Sequence, residues 1–204
     1  MRHIELFGGN PQEDPIPVLT PREVRLPGPP LNAYGRGAAW GRAAHRVLAA
    51  AAQGLDYTLW ERLAGDALAE EGATPGDALA LVAEISAVWE SELGARIRRA
   101  TRVLVEVPFA IAGEASALGL APDEGPAEAL LEGVIDLACL EGDGRWTLLD
   151  YKTDAGAAAH LDALVAHYGP QVRQYALTWR QFQREPLREA LLVFTAPLRL
   201  VAVE

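Results

Sequence analysis

The chain has 204 residues, 50% of them hydrophobic, enough for one substantial core with a helical appendage. Its 18 basic against 28 acidic residues leave a formal charge of −10, which disfavours a surface-wide affinity for polyanions such as DNA or acidic membranes and confines any nucleic-acid contact to a local basic groove. A single cysteine, Cys139, excludes an intrachain disulfide and a Cys-rich zinc or iron–sulfur site. No apolar run is long enough to cross a bilayer and the first twenty residues are unlike a signal peptide, so the expectation is a cytoplasmic protein with no membrane partner.

Residues 1–32 read as an extended Pro/Gly-rich arm or linker, with seven prolines between positions 8 and 30. The domain proper is expected over 33–204, helical over 33–100 and built on a sheet over 101–204. From Tyr34 to about Gly54 the pattern is helical, with Trp40, Ala44, Val47, Leu48 and Ala51 on one apolar stripe. Two further helices are expected over 56–71 and 76–99, the second with Leu79, Val82, Ser86, Trp89 and Leu93 sharing a face.

Strand signals begin at "TRVLVEVPFAIAG", where Val103, Val105 and Val107 alternate with other residues and Pro108 suits a strand end. A loop over 112–127 leads to "ALLEGVIDLACL" and "RWTLLDYKT", two strands joined by the Asp-Gly turn of "EGDG". A helix to about Tyr168, a break at Gly169-Pro170 and a second helix to about Arg184 follow, before the strands "ALLVFTA" and "LRLVAVE". This order predicts an α/β fold, a mixed sheet flanked by helices with a helical N-terminal region.

Two strands carry charges where core residues belong. Residues two apart on a strand share a face, so Asp150 and Lys152 point the same way, and Asp136 on the partner strand can meet Asp150 across the ladder. Two carboxylates brought together repel, and a hard divalent cation such as Mg²⁺ removes that conflict. With Lys152 beside it, such a centre has the parts for phosphodiester hydrolysis. The plainer reading is a turn-forming aspartate and a surface Asp-x-Lys ion pair worth ~0–1 kcal/mol; against it, the apolar "WTLL" runs directly into Asp150.

Five short motifs occur in order: "GRAAH" at 41–45, "EVPF" at 106–109, "GVID" at 133–136, "DYKT" at 150–153 and "QVRQY" at 171–175. Together they resemble the RecB-type nucleases of the PD-(D/E)xK superfamily, in particular the C-terminal nuclease domain of AddA-like and RecB-like helicase–nucleases, over about Gly37 to Tyr175. The resemblance implies a restriction-endonuclease-like fold and a DNA nuclease requiring Mg²⁺ or Mn²⁺, acting in recombinational repair on single-stranded DNA or DNA ends. His45, Asp136, Asp150 and the backbone carbonyl of Tyr151 become metal ligands, Lys152 the catalytic lysine, and Gln171 and Tyr175 border the site and touch DNA.

Glu106 has two readings, a ligand for a second metal or its water, or an exposed side chain. Gln171 and Tyr175 share a face expected near a helix N-terminus, where backbone N–H groups favour phosphate. Arg36, Arg42 and Arg46 near His45, and Arg96, Arg98, Arg99 and Arg102 before the Glu106 strand, are candidates for lining a single-strand groove. The four-cysteine iron–sulfur subgroup is excluded, and there is no P-loop and so no ATP site; a helicase motor is then expected as a partner, in the same polypeptide or in a complex. The rival reading is a catalytically silent DNA-end-binding or docking module. Exonuclease against endonuclease action, and nuclease module against stand-alone protein, stay open.

Overall fold

The computed structural model describes residues 36–114 and 128–203; the arm expected over 1–32 and most of the loop expected over 112–127 lie outside the described residues. Helix α1 (Ala38–Ala52) follows Gly37, whose φ of 87° turns the chain into the helix. Its apolar stripe is buried: Trp40, Ala43, Ala44, Val47, Leu48 and Ala51. After a 3₁₀ turn (Tyr57–Leu59) comes α2 (Trp60–Glu70), and after a second (Pro75–Asp77) comes α3 (Ala78–Trp89).

The helix expected over 76–99 is two helices. It ends at Trp89, and α4 (Glu92–Arg99) restarts with the Ser91 side chain capping the amide of Gly94. Gly94 packs so closely that a Cβ there would fall 2.0 Å from the Trp89 carbonyl oxygen. The buried face also differs from the expected one: Leu81, Val82, Ile85 and Val88 face the core, while Leu79 is 65% exposed. A helix as rich in apolar residues as "ALALVAEISAVW" offers more than one apolar stripe, and packing against α2 selects one.

Strands β1 (Arg102–Glu114), β2 (Glu128–Leu140), β3 (Trp146–Lys152), β4 (Leu187–Thr195) and β5 (Leu198–Ala202) form one sheet in the order β1-β2-β3-β4-β5. All neighbours are antiparallel except β3 and β4, which are parallel and joined by helix α5 (Ala157–Phe182). Pro108 does not end β1, which continues six residues beyond it. As the edge strand, β1 has one side without a partner strand and so tolerates a proline within it.

Helices α1–α4 cover one face of the sheet, meeting Leu137, Cys139, Leu149, Tyr151, Leu191 and Val193. Helix α5 covers the other, meeting Ile135, Ala138, Trp146, Leu148, Leu192 and Phe194. Each large side chain fully buried this way contributes about 1.5–3 kcal/mol. The alternation expected for β1 breaks at Glu106, which has a φ of 49°. Val103 and Val105 pack toward α1–α4, whereas Val107 and Phe109 pack toward α5.

Helix α5 also departs from expectation, running unbroken through Gly169-Pro170 with its one non-helical residue at His160. Proline at 170 leaves the Ala166 carbonyl without its helical donor. Ala166 is exposed, so water can serve that oxygen, while Leu164, Tyr168, Val172, Tyr175, Ala176 and Trp179 on the buried face hold the two halves in line. Among the described residues no helix is long and apolar enough to cross a membrane.

Candidate active site

One helix and three strands meet at one end of the sheet. The imidazole of His45 projects from α1, Glu106 and Asp136 stand on β1 and β2, and Asp150 and Lys152 occupy the end of β3. Among the described residues, a side-chain donor atom from each of His45, Glu106 and Asp136 lies within 4.8 Å of the others. Glu106 joins this group at the residue where β1 changes face, a feature no alternation pattern could reveal.

His45 Nε2 is 2.9 Å from the Tyr151 carbonyl oxygen and Nδ1 is 3.3 Å from Asp136 Oδ1. Burial pulls the imidazole pKa down, but the hydrogen bond and charge of Asp136 outweigh it and the net shift is upward. The Tyr151 amide donates to Asp136 Oδ2 at 2.7 Å, which fixes that carboxylate against the backbone of β3. Helix α1 approaches the end of β3 at Gly41, where a Cβ would come to 3.4 Å from Thr153 Oγ1.

Asp150 is 2% exposed. Its Oδ2 stands 2.7 Å from Lys152 Nζ as an ion contact, without hydrogen-bond geometry, and is otherwise an unpartnered buried oxygen. Burial pushes the Asp150 pKa up, with Asp136 adding to that, against the pull of Lys152. Lys152 is the only lysine in the chain; every other basic side chain besides histidine is arginine.

Lys152 is held from three sides. Besides Asp150, Nζ donates to Gln171 Oε1 at 3.4 Å and lies 4.6 Å from the centre of the Tyr168 ring. Gln171 Nε2 donates to the Tyr175 hydroxyl at 2.6 Å, and the Tyr168 hydroxyl donates to Asp154 Oδ2 at 3.1 Å. Tyr168 and Asp154 were not singled out from the sequence, although Tyr168 lies seven residues before Tyr175 on the same helix face. Gln171 and Tyr175 lie inside α5, so the helix-terminus anion site expected beneath them is not formed.

Tyr175 also links two further motifs. Its ring meets Phe109 edge to face at 5.7 Å, and the Phe109 ring fills the space that a Cβ on Gly133 would need, at 2.7 Å. The phenylalanine of "EVPF", the glycine of "GVID" and the tyrosine of "QVRQY" thus form one packing unit behind Gln171.

An open groove of about 860 Å³ runs from Lys152, Glu106 and Tyr168 along α1 past His45, Arg42 and Arg46. Both arginines line it, each paired with a carboxylate at the end of α2: Arg42 Nε to Glu71 at 2.6 Å, and Arg46 to Glu70. The second arginine cluster does not reach the groove. Arg96 bonds Glu141, Glu189 and Thr147 near the opposite end of β3, Arg98 contacts the Trp89 carbonyl and ring, and Arg99 pairs with Glu92 on its own helix. Carboxylates supplied by the β2–β3 turn and β4 thus absorb the charge of Arg96, which looks free in the sequence.

The donor set of one imidazole, several carboxylate oxygens and a backbone carbonyl suits a hard divalent cation of the Mg²⁺ or Mn²⁺ type. The unpartnered buried oxygen of Asp150 beside it fits the same group. Residues 21–202 match the PD-(D/E)XK nuclease superfamily. An ATP-dependent helicase/nuclease subunit of Pelotomaculum thermopropionicum is 34% identical over 146 residues, 70% of this chain and 11% of that protein. The protein of the same name from Carboxydothermus hydrogenoformans is 29% identical over 132 residues, 64% of this chain and 11% of its own length. That from Geobacillus kaustophilus is 34% identical over 130 residues, 60% of this chain and 10% of its length. The chain therefore spans only 10–11% of the length of these relatives. It belongs to the PD-(D/E)XK nuclease superfamily.

Proposed function

We propose that this member of the superfamily hydrolyses phosphodiester bonds of single-stranded DNA or DNA ends with bound Mg²⁺ or Mn²⁺. The observation that carries this reading is the meeting of His45, Glu106 and Asp136 within 4.8 Å at the floor of an open groove, beside the Asp150–Lys152 pair. A divalent cation there supplies Lewis-acid activation of water and neutralises charge on the phosphate. His45, Asp136, Asp150 and the Tyr151 carbonyl hold it, with Glu106 completing the set or taking a second ion.

In this reading the chain's own groups do the rest. Lys152 gives a cation to a non-bridging phosphate oxygen as charge develops, and its direction is set by Asp150, Gln171 and the Tyr168 face. Asp136, pinned by the Tyr151 amide, keeps its other oxygen turned toward His45. Arg42 and Arg46 neutralise phosphates of the strand along α1, exchanging their contacts with Glu71 and Glu70 for DNA. With the relatives' names as support, the chain works as a nuclease module beside a helicase motor; the cytoplasm and recombinational repair are the setting that the motif resemblance implies.

Incubation of the protein with 5′-labelled single-stranded DNA, with and without Mg²⁺ or Mn²⁺, tests this directly. Metal-dependent cleavage that is lost in Lys152→Ala and Asp150→Ala is expected, and the product ladder separates exonuclease from endonuclease action. DNA binding without cleavage under either metal, in a folded protein, would replace this reading with a silent docking module.

A further inference from the structure

Glu84 lies on α3, on none of the motifs, yet its carboxyl reaches the catalytic strand. One oxygen accepts from Trp40 Nε1 at 3.1 Å. The other contacts the Thr195 hydroxyl at the end of β4, and the same hydroxyl lies 3.2 Å from the Lys152 carbonyl oxygen. Thr195 is 2% exposed, so no water competes for it.

A proton count sharpens the arrangement. A hydroxyl has one proton to donate, but here two oxygen acceptors face it. Each contact is a full hydrogen bond, rather than a share of one proton, when Glu84 itself carries a proton and donates to Thr195 Oγ1, leaving the Thr195 proton for the Lys152 carbonyl. The Trp40 indole N–H then meets the unprotonated oxygen of Glu84. Burial of the carboxyl acts in the same direction, raising its pKa against the pull of Thr195, Trp40 and the nearby Arg36.

We propose that Glu84, in its protonated form, is a positioning residue for Lys152, acting through Thr195 on the Lys152 backbone carbonyl. The relay ties α1, α3 and β4 to the last residue of β3, and so fixes the base from which the lysine side chain enters the groove. The activity arm of its test rests on the nuclease reading above; the spectroscopic arm does not.

Glutamine at 84 can make every bond of the protonated acid, its amide N–H donating to Thr195 and its carbonyl accepting from Trp40. Alanine makes none, and Thr195→Val removes the bridge while Thr195→Ser keeps it. In metal-dependent cleavage of single-stranded DNA, Glu84→Ala and Thr195→Val should lower kcat roughly five- to tenfold, the scale of one lost hydrogen bond, with KM unchanged. Glu84→Gln and Thr195→Ser should keep kcat near wild type.

Because Lys152 is the only lysine, carbonyl-¹³C lysine labelling gives one protein resonance that reports this carbonyl. That resonance should move in Thr195→Val and Glu84→Ala and stay in place in Glu84→Gln. Folded Ala and Val variants with wild-type kcat and an unmoved resonance overturn the proposal, as does a Gln variant no better than Ala. If Glu84→Ala fails to fold, the Val and Ser pair decides. If the wild type does not cleave DNA at all, the nuclease reading fails alone, and the resonance still decides whether the relay holds Lys152.

Discussion

His45 Nε2 and the Tyr151 carbonyl oxygen, 106 residues apart in the chain, stand 2.9 Å apart across the boundary between α1 and β3. That contact makes the helical layer part of the site. His45→Ala is accordingly expected to weaken Mn²⁺ binding by more than roughly tenfold, the low end of the loss found even for groups that merely support a metal ligand. Titration calorimetry measures it; unchanged affinity would remove α1 from the metal centre.

Lys152→Ala should reduce the cleavage rate by roughly 10²–10³, as when a single charge-stabilising donor is lost, while leaving Mn²⁺ affinity close to wild type. Arginine at 152 should not restore the rate, because its planar fork cannot occupy the compact position between Asp150, Gln171 and the Tyr168 ring. Single-turnover kinetics with calorimetry on the same samples separate the two effects.

The groove arginines can be read through salt. Each phosphate contact on a single strand contributes roughly 0.7 to the slope of log K against log salt, so Arg42→Ala with Arg46→Ala should flatten the slope by about 1.4, two such contacts. Glu70→Gln with Glu71→Gln frees the same arginines and should tighten binding. Fluorescence anisotropy over a salt series is the measurement, and Arg99→Ala, outside the groove, should leave the slope alone.

Gly133→Ala puts a methyl where the Phe109 ring sits, 2.7 Å from its nearest atom. Overpacking of this kind costs about 1–3 kcal/mol. Combining it with Phe109→Leu should cost less than the sum of the two single changes, since the smaller side chain makes room. Chemical denaturation of the three variants tests this, and strict additivity would show that Phe109 and Gly133 do not share one space.

Glu84 makes stability depend on pH with a defined sign. A carboxyl whose folded pKa lies above its ordinary 4.5 keeps its proton in the fold where the unfolded chain has lost it. Stability therefore falls as pH rises from about 4.5 through the folded pKa. Glutamine has no proton to lose, so the melting temperature of Glu84→Gln relative to wild type should be higher at pH 8 than at pH 4.5. A pH-independent difference would contradict this.

Much of the site was written in local sequence. Asp136, Asp150 and Lys152 stood out because charges interrupted apolar strands, and the hairpin that joins them announced its own turn. The helical stripe through Trp40 and Val47 was equally plain. The rest depends on contacts that periodicity does not encode. The face change of β1 follows from one backbone angle at Glu106, and a strand pattern assumes that angle has the usual sign. Pro170 looked like a break because the exposed Ala166 carbonyl and the packed flank of α5 are tertiary facts. Glu84 meets Trp40 from 44 residues away and Thr195 from 111, and Arg96 spends its charge on Glu141 and Glu189. One signal was present and simple: in a chain with 18 basic residues the only lysine is Lys152.

Cys139 lies on β2, three residues from Asp136, 1% exposed, its thiol pushed by burial up to about 11. A thiol so placed is almost never the reactive thiolate while the sheet is closed. As the chain's single sulfhydryl it is a built-in clock. The rate at which an alkylating reagent captures it records how often β2 swings open, and slowing of that rate by added Mn²⁺ would weigh, in the same tube, the grip of the metal on the sheet.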